Sequence, residues 1–197
     1  MNISFRRLPL AALVLCGCVT PAPKTTIPVP DNETMLAPGV SCAMPPPSPM
    51  GGNVDAAQTI VAHFRGQTFS FEAQIQSTPG EFDLVALDNL GRRAMSMKWR
   101  DGQMSYTRAD WLPVAVRPAD MLGEVAIVFW PTDTVGPALR ACGATLTTTS
   151  SGRVVTVHHR DVIDVTYANG EGWNRAARLR NLAFGFSVDI QSAEIAQ

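Results

Sequence analysis

The sequence predicts an α+β fold, mostly antiparallel β, in which a curved sheet is covered by short helices. Apolar and polar residues alternate over residues 68–76, as in a half-buried antiparallel strand. Asp101-Gly102 is a strong signal for a tight hairpin turn. The middle third of the chain instead has apolar residues at helical spacing. Hairpin-linked strands with few helices indicate one curved sheet with the helices on its concave side.

The first element is an export signal, residues 1–17. Two arginines precede a mostly apolar run at residues 8–15, which is too short to span a bilayer. The run ends in Leu-Cys-Gly-Cys, where the small Gly17 suits a cut before Cys18. We expect Cys18 to carry the acyl chains that anchor the protein to a membrane. Val19, where an aspartate would favour inner-membrane retention, indicates the periplasmic side of the outer membrane. The alternative is an ordinary cleaved signal.

Composition bounds the mature chain. Loss of residues 1–17 leaves 180 residues with 14 basic and 17 acidic side chains, a balance that predicts no nucleic-acid partner. A hydrophobic content of 46% suffices for one packed core. Residues 18–52 are rich in proline and predict a lipid-bearing tether. The folded domain is therefore expected at residues 53–197.

The cysteine count predicts one disulfide. Cys18 is assigned to the lipid, which leaves Cys42 and Cys142 in an oxidising compartment. We expect these two to pair, with two free thiols as the alternative. Neither belongs to a Cys-x-x-Cys motif, so a thiol-redox enzyme is not indicated.

A short helix is predicted at the start of the folded domain, capped by Asn53 or Asp55 and ended by Gly66. Strands are predicted to follow, because the apolar period changes from helical to alternating. The residues expected on one helix face are Ala57, Ile60, Val61 and Phe64, and the expected strands cover residues 68–76, 82–87, 93–100 and 103–108.

The middle third predicts two helices, at residues 118–129 and from about Val135 to Gly143. Trp130-Pro131 separates them. Turn-separated strands then resume to the end of the domain. These expected strands cover residues 144–149, 153–159, 162–168, 175–182 and 184–190.

Short motifs carry a family resemblance. Residues 82–91, Phe-Asp-Leu-Val-Ala-Leu-Asp-Asn-Leu-Gly, are similar to a hairpin of LolB, the outer-membrane lipoprotein receptor. Together with Trp130-Pro131 and residues 179–186, they make residues 53–192 resemble an uncharacterised family of proteobacterial outer-membrane lipoproteins. That family is a domain of unknown function with a LolA/LolB-like fold, often encoded with genes for aryl-polyene or other polyketide lipids. The resemblance implies an incomplete β-barrel covered by short helices.

The resemblance also implies an apolar trough that receives acyl chains. Residues on the inward-reading faces are candidates for its ligand-binding wall, and the alternative is that they fill a closed core. These residues are Phe69, Phe71, Ile75, Leu84, Met95, Met97, Trp99, Met104, Tyr106, Met121 and Leu122.

Two loops are candidates for membrane contact. Leu90 lies in a tight turn, and in the matching LolB turn a projecting leucine engages the membrane. Here Asn89 replaces the LolB proline, while Arg92 and Arg93 suit anionic headgroups. The loop containing Trp111 and Leu112 is a second apolar projection, with packing over the helices as the alternative.

Catalysis is not indicated. His158 and His159 are expected side by side on a strand, where their rings face opposite ways and cannot hold one metal. No P-loop or hydrolase motif is present in the sequence. We therefore expect no enzyme, no metal and no cofactor. Two hypotheses remain: a membrane-anchored carrier that receives an acylated client, either a lipoprotein or a lipid, and a scaffold lipoprotein with a closed core that binds a protein partner.

Overall fold

The computed structural model describes residues 27–29, 33–47, 52–113 and 116–195. The predicted signal peptide and Cys18 lie outside these residues. The described part of the chain forms thirteen strands and two helices. They are β1 (Ile27–Val29), β2 (Glu33–Ala37), β3 (Val40–Ala43), β4 (Val54–Phe64), β5 (Gln67–Thr78), β6 (Glu81–Asp88), β7 (Arg93–Arg100), β8 (Gln103–Arg108), α1 (Pro118–Phe129), α2 (Thr132–Ala141), β9 (Ala144–Thr148), β10 (Gly152–Val157), β11 (Arg160–Glu171), β12 (Asn174–Asn181) and β13 (Phe186–Glu194).

Eleven strands form one antiparallel sheet, and β2 and β3 form a separate hairpin. The order across the sheet is β1-β8-β7-β6-β5-β4-β13-β12-β11-β10-β9, so most neighbours are consecutive in the chain. The sheet is curved but not closed into a barrel, with β1 and β9 at its edges. The predicted class, α+β and mostly antiparallel β, is confirmed, and the described residues form two helices where three were expected. Among the described residues, neither helix has the length and apolar character to cross a membrane.

The helix predicted over Ala57, Ile60, Val61 and Phe64 is wrong, because this segment is strand β4. β4 pairs along its length with β5 and also with β13, so both of its edges are occupied. The alternation of the strand turns Gln58 into the core, where its Nε2 donates a hydrogen bond to Ser192 Oγ at 3.2 Å. Pairing on both sides outweighs the helical spacing of the apolar residues.

The tether predicted at residues 18–52 is wrong for its described part. β1 extends the sheet by pairing with β8, and the β2–β3 hairpin packs against α1. Leu36, Cys42 and Met44 are buried in the core. The prolines hid this short alternation of buried and exposed residues.

A disulfide fixes the hairpin to the second helix. It joins Cys42 on β3 to Cys142 at the end of α2, with 5.4 Å between the Cα atoms, which is the pairing expected from the cysteine count. The hairpin also approaches α1 closely, since a Cβ on Gly123 would collide with the Thr34 side chain. α1 is therefore enclosed between the hairpin and the sheet.

Aromatic side chains and one arginine hold the end of α1. Trp130 stacks on Trp99 with ring centroids 5.9 Å apart, and Phe129 stacks on Trp173 at 4.5 Å. Arg153 is buried and its Nη1 donates to two carbonyl oxygens around the last turn of α1, each at 2.7 Å. These carbonyls have no partner within the helix, so Arg153 satisfies them.

Candidate functional site

The two ends of the curved sheet differ. Because the strands are antiparallel, alternate turns gather at the same end. The β4–β5, β6–β7, β10–β11 and β12–β13 turns lie at what we call the open end, and the β5–β6, β7–β8 and β11–β12 turns lie at the closed end. α1 starts from the open end and finishes among the stacked aromatic rings of the closed end.

On the central strands β4, β5 and β13 the concave face is buried near the closed end and only half buried near the open end, whereas Val155, Ile163 and Asn181, near the open end of β10 to β12, are buried. On β5, Ala73 and Ile75 are buried, whereas Phe69 and Phe71, on the same face, are half buried. The residues paired with them on the central strands β4 and β13 show the same change from buried to half buried. We call the half-buried residues the apolar patch: Ile60, Ala62, Phe64, Phe69, Phe71, Phe186 and Val188.

The predicted wall residues divide into a buried set and a half-buried set. Seven of them lie in the filled core and offer no room for a ligand; they are Ile75, Leu84, Met95, Met97, Trp99, Met104 and Leu122. The other four, Phe69, Phe71, Tyr106 and Met121, are half buried. Of these four, Phe69 and Phe71 lie on the apolar patch, whereas Tyr106 is in register with the buried Met97.

A polar pair lies within this apolar environment. Glu124 of α1 keeps only part of its surface exposed and is hydrogen-bonded to the buried Asn181 of β12. Burial, assisted by the nearby Asp120, raises the pKa of Glu124 to about 8 despite that hydrogen bond. Burial also raises the pKa of Asp120, against the opposing effects of the Met35 amide and Arg117. Glu124 is therefore mostly protonated at neutral pH.

Three large apolar side chains project at the open end. Leu90 is 77% exposed, Leu182 50% and Trp111 42%. Leu90 sits in a turn held by Asp88, whose Oδ1 accepts the Leu90 amide at 3.0 Å. The Arg92 guanidinium lies 5.3 Å from the centre of the Trp111 ring. Arg92 is also ion-paired with Asp88 at 2.7 Å, so the end combines apolar projections with this ion pair and the exposed Arg93.

Leu112 was expected to contact a membrane with Trp111, but it is only 4% exposed and this prediction is wrong for the folded protein. Its carbonyl oxygen accepts a hydrogen bond from Arg108 Nη2 at 2.6 Å, which folds the loop back over the core. Leu182 was missed by sequence reasoning. Its signal was an apolar residue in the β12–β13 turn.

A groove of about 520 Å³ lies on the central strands of the sheet. Most side chains that border it alternate away from the core, so it opens on the outer face. It contains none of the predicted wall residues, and its lining includes Ala57, Thr59, Glu72, Gln74, Val85, Leu87, Gln191 and Ala193.

The histidines do not assemble a metal site. His158 and His159 form the β10–β11 turn with φ of 47° and 63°, so the prediction that they lie on a strand is wrong. His63 lies between Thr68 and Asp189, at 3.2 and 3.4 Å, on exposed surface. Within the described ranges, no group of three His, Cys, Asp or Glu residues is placed to hold a metal ion.

Comparison with known families gives one match. Residues 55–194 match the family described as "Protein of unknown function (DUF3261)". This match spans β4 to β13, and so includes the whole apolar patch and both helices. No curated protein matches the chain.

Proposed function

The chain belongs to the DUF3261 family of proteins of unknown function, and we propose that it is an outer-membrane-anchored periplasmic lipoprotein that receives an acylated client. The acyl chain lies on the apolar patch, in a fold of the LolA/LolB type. The client is a lipoprotein or a lipid of the aryl-polyene kind. Anchoring is through Cys18.

One observation carries this proposal: the apolar patch and the projecting residues Leu90, Trp111 and Leu182 share the open end. Exposed apolar side chains on the surface of a soluble domain are informative when they cluster. Here the cluster stands where an acyl chain on the patch enters or leaves. Arg93 lies beside it and suits anionic headgroups, whereas Arg92 is ion-paired with Asp88.

Delivery then depends on bringing the apolar patch close to the membrane and on keeping the acyl chain buried during transfer. The projecting residues dip into the headgroup region and bring the patch to the membrane surface. An acyl chain gains about 0.8 kcal/mol for each methylene removed from water, in the protein or in the bilayer. Transfer therefore follows the difference in affinity between the two sites.

The proposal is tested on the chain from residue 19, exported with a cleavable signal so that it is soluble. We expect mass spectrometry of the purified protein to find copurified acyl lipids, and a fluorescent fatty acid to bind at one site. Gln74→Phe fills the outer groove and is the control variant, because it leaves the patch untouched. No copurified lipid and no fatty-acid binding by the wild-type chain would remove the carrier proposal.

A second candidate is a scaffold lipoprotein that binds a periplasmic protein. Two observations favour this candidate: seven of the predicted wall residues lie in the filled core, and a groove is present on the outer face. A photo-crosslinking residue at Ala193, in cells, is expected to yield one discrete protein adduct if the groove is used. The same residue at Leu90 serves as the control. An adduct-free Ala193 would leave the scaffold candidate without support.

A further inference from the structure

Glu124 and Asn181 form a polar pair that no part of the carrier mechanism uses. The pair joins α1 to β12, where Leu179 and Ala177, on the same face of the strand as Asn181, are buried. A carboxyl group enclosed in this way destabilises a fold unless it is neutral and hydrogen-bonded. A functional role would explain why a carboxyl group is present at this position.

The contacts of Asn181 define what the pair can offer a ligand. Asn181 Oδ1 accepts the Phe184 backbone N–H at 3.0 Å, so the amide nitrogen is the group that donates to Glu124. An asparagine nitrogen carries two hydrogens, and Glu124 takes one of them.

The protonation state of Glu124 determines whether its carboxyl group can donate a hydrogen bond. Since burial raises the pKa of Glu124 to about 8, the carboxyl is mostly protonated at neutral pH. One of its oxygens accepts from Asn181, and the protonated one is a donor. Asp120 does not compete, because its Oδ1 accepts the Met35 amide at 2.8 Å and Arg117 lies 3.6 Å from its Oδ2. The pair therefore presents donors and suits a ligand that is an acceptor.

The register places the pair at the border of the apolar patch. Asn181 is opposite Phe186 on β13, and Phe186 is opposite Phe64 on β4. Glu124 follows Met121, a half-buried residue, by one helical turn on α1. A chain lying on the patch thus has its polar end within reach of the pair when that end points towards α1.

We propose that Glu124 and Asn181 hold the carbonyl oxygen of an acyl ester or acyl amide whose hydrocarbon chain lies on the apolar patch. This inference rests on the proposed carrier function and names its ligand class. The selected ligands are acylated molecules, in contrast to ether-linked lipids and plain hydrocarbons. The hydrocarbon chain of the ligand provides the buried contact area, and the Glu124–Asn181 pair provides the selectivity for acylated ligands.

The test compares two glycerol lipids that differ only at the linkage, the monoester of palmitic acid and the matching hexadecyl monoether. The soluble chain from residue 19 is titrated with each at pH 6.5. We expect the wild type to prefer the ester about tenfold, the effect of one net hydrogen bond. Glu124→Leu should reduce the ratio to near one, and Glu124→Gln, which keeps a donor, should retain most of it. Glu72→Leu, which replaces an exposed carboxylate on the outer face of the sheet, is the matched control.

A second measurement needs no variant. At pH 9.5 the wild-type carboxyl is ionised and loses its donor, so the ester preference should fall, whereas that of Glu124→Gln should not. An ester-to-ether ratio unchanged in Glu124→Leu and at pH 9.5 would overturn the assignment of the pair while the carrier proposal stood. Failure of the wild type to bind either lipid would instead overturn the carrier proposal itself.

Discussion

Glu124 links a single residue to the stability of the fold. Its pKa is about 8 in the folded protein and starts from an ordinary value of 4.5, so folding favours the protonated form. Between these values the folded state binds more protons than the unfolded state, and stability falls as pH rises. The stabilising contribution is complete below pH 4.5 and is lost by about pH 8.

We therefore predict that Glu124→Gln matches the wild type near pH 5 and is more stable at pH 8.5, by roughly 3 kcal/mol. Urea unfolding at the two pH values measures this difference. Asp120 is present in both proteins, and its charge adds to the destabilisation caused by ionised Glu124 in the wild type only. Parallel stability profiles for the two proteins would show that the carboxyl is not held protonated.

Leu90 provides the residue-scale test of membrane contact. Leu90→Glu places a charge at the open end and is expected to weaken binding to phosphatidylglycerol vesicles several-fold. Ile195→Glu is the matched control, because Ile195 is 42% exposed but lies at the closed end, beside Asp55. Vesicle flotation of the soluble chain measures both. Equal losses in the two variants would count against a directed contact.

At the scale of residues, the sequence indicated which apolar residues lie in exposed turns, but it did not indicate which side chains are buried by packing. Leu90 was found because an apolar residue in a short turn has few partners. Leu112 was misplaced because Arg108, four residues earlier, folds its loop inwards through a hydrogen bond that the pattern does not indicate. Glu124 gave no signal, since only the packing of α1 against β12 encloses it.

At the scale of elements, the strongly alternating strands were predictable and the doubly paired β4 was not. Helical spacing over Ala57 to Phe64 is a local signal, whereas β4 is fixed by partners at both edges, β5 and the distant β13. The β2–β3 hairpin was hidden for the same reason. Its burial depends on α1, which lies far along the chain.

The disulfide is expected to hold this hairpin over α1. Cys42 and Cys142 are 100 residues apart, and closing a loop of that length stabilises a protein by about 4.7 kcal/mol on chain-entropy grounds. We predict that Cys142→Ser lowers stability by a comparable amount and exposes the chain near Pro45 to proteases. Limited proteolysis with peptide mapping checks it. Alkylation of both thiols in non-reduced, denatured wild type would contradict the pairing.

A pair of substitutions separates the filled core from the patch. Met97→Ala removes a buried side chain and should cost about 2–5 kcal/mol while leaving fatty-acid affinity unchanged. Phe71→Ala, in the half-buried region, should cost less stability and reduce affinity several-fold. Denaturant unfolding and a fluorescent titration report the two effects. Unchanged affinity in Phe71→Ala would exclude the patch as the binding surface.

At the scale of the whole molecule, an open curved sheet is filled by aromatic packing at one end, and at the other end its central strands β4, β5 and β13 carry half-buried apolar residues. The sequence patterns predicted the sheet, the helices and the apolar character of the concave face. They did not distinguish residues that fill the core from residues that line an open surface, because both show the same period-two alternation. That difference depends on where α1 lies along the sheet.

The central claim, that an acyl chain lies on the apolar patch, is tested most directly by photolabelling. A palmitic acid analogue with a diazirine at its terminal carbon is bound to the soluble chain and irradiated, and the labelled peptides are identified by mass spectrometry. Our account predicts label on Phe69 and Phe71, three strands away from Asn181 across the sheet, competed away by unlabelled palmitate. Label confined to the outer groove around Thr59 and Gln74, or no competed label at all, would contradict it.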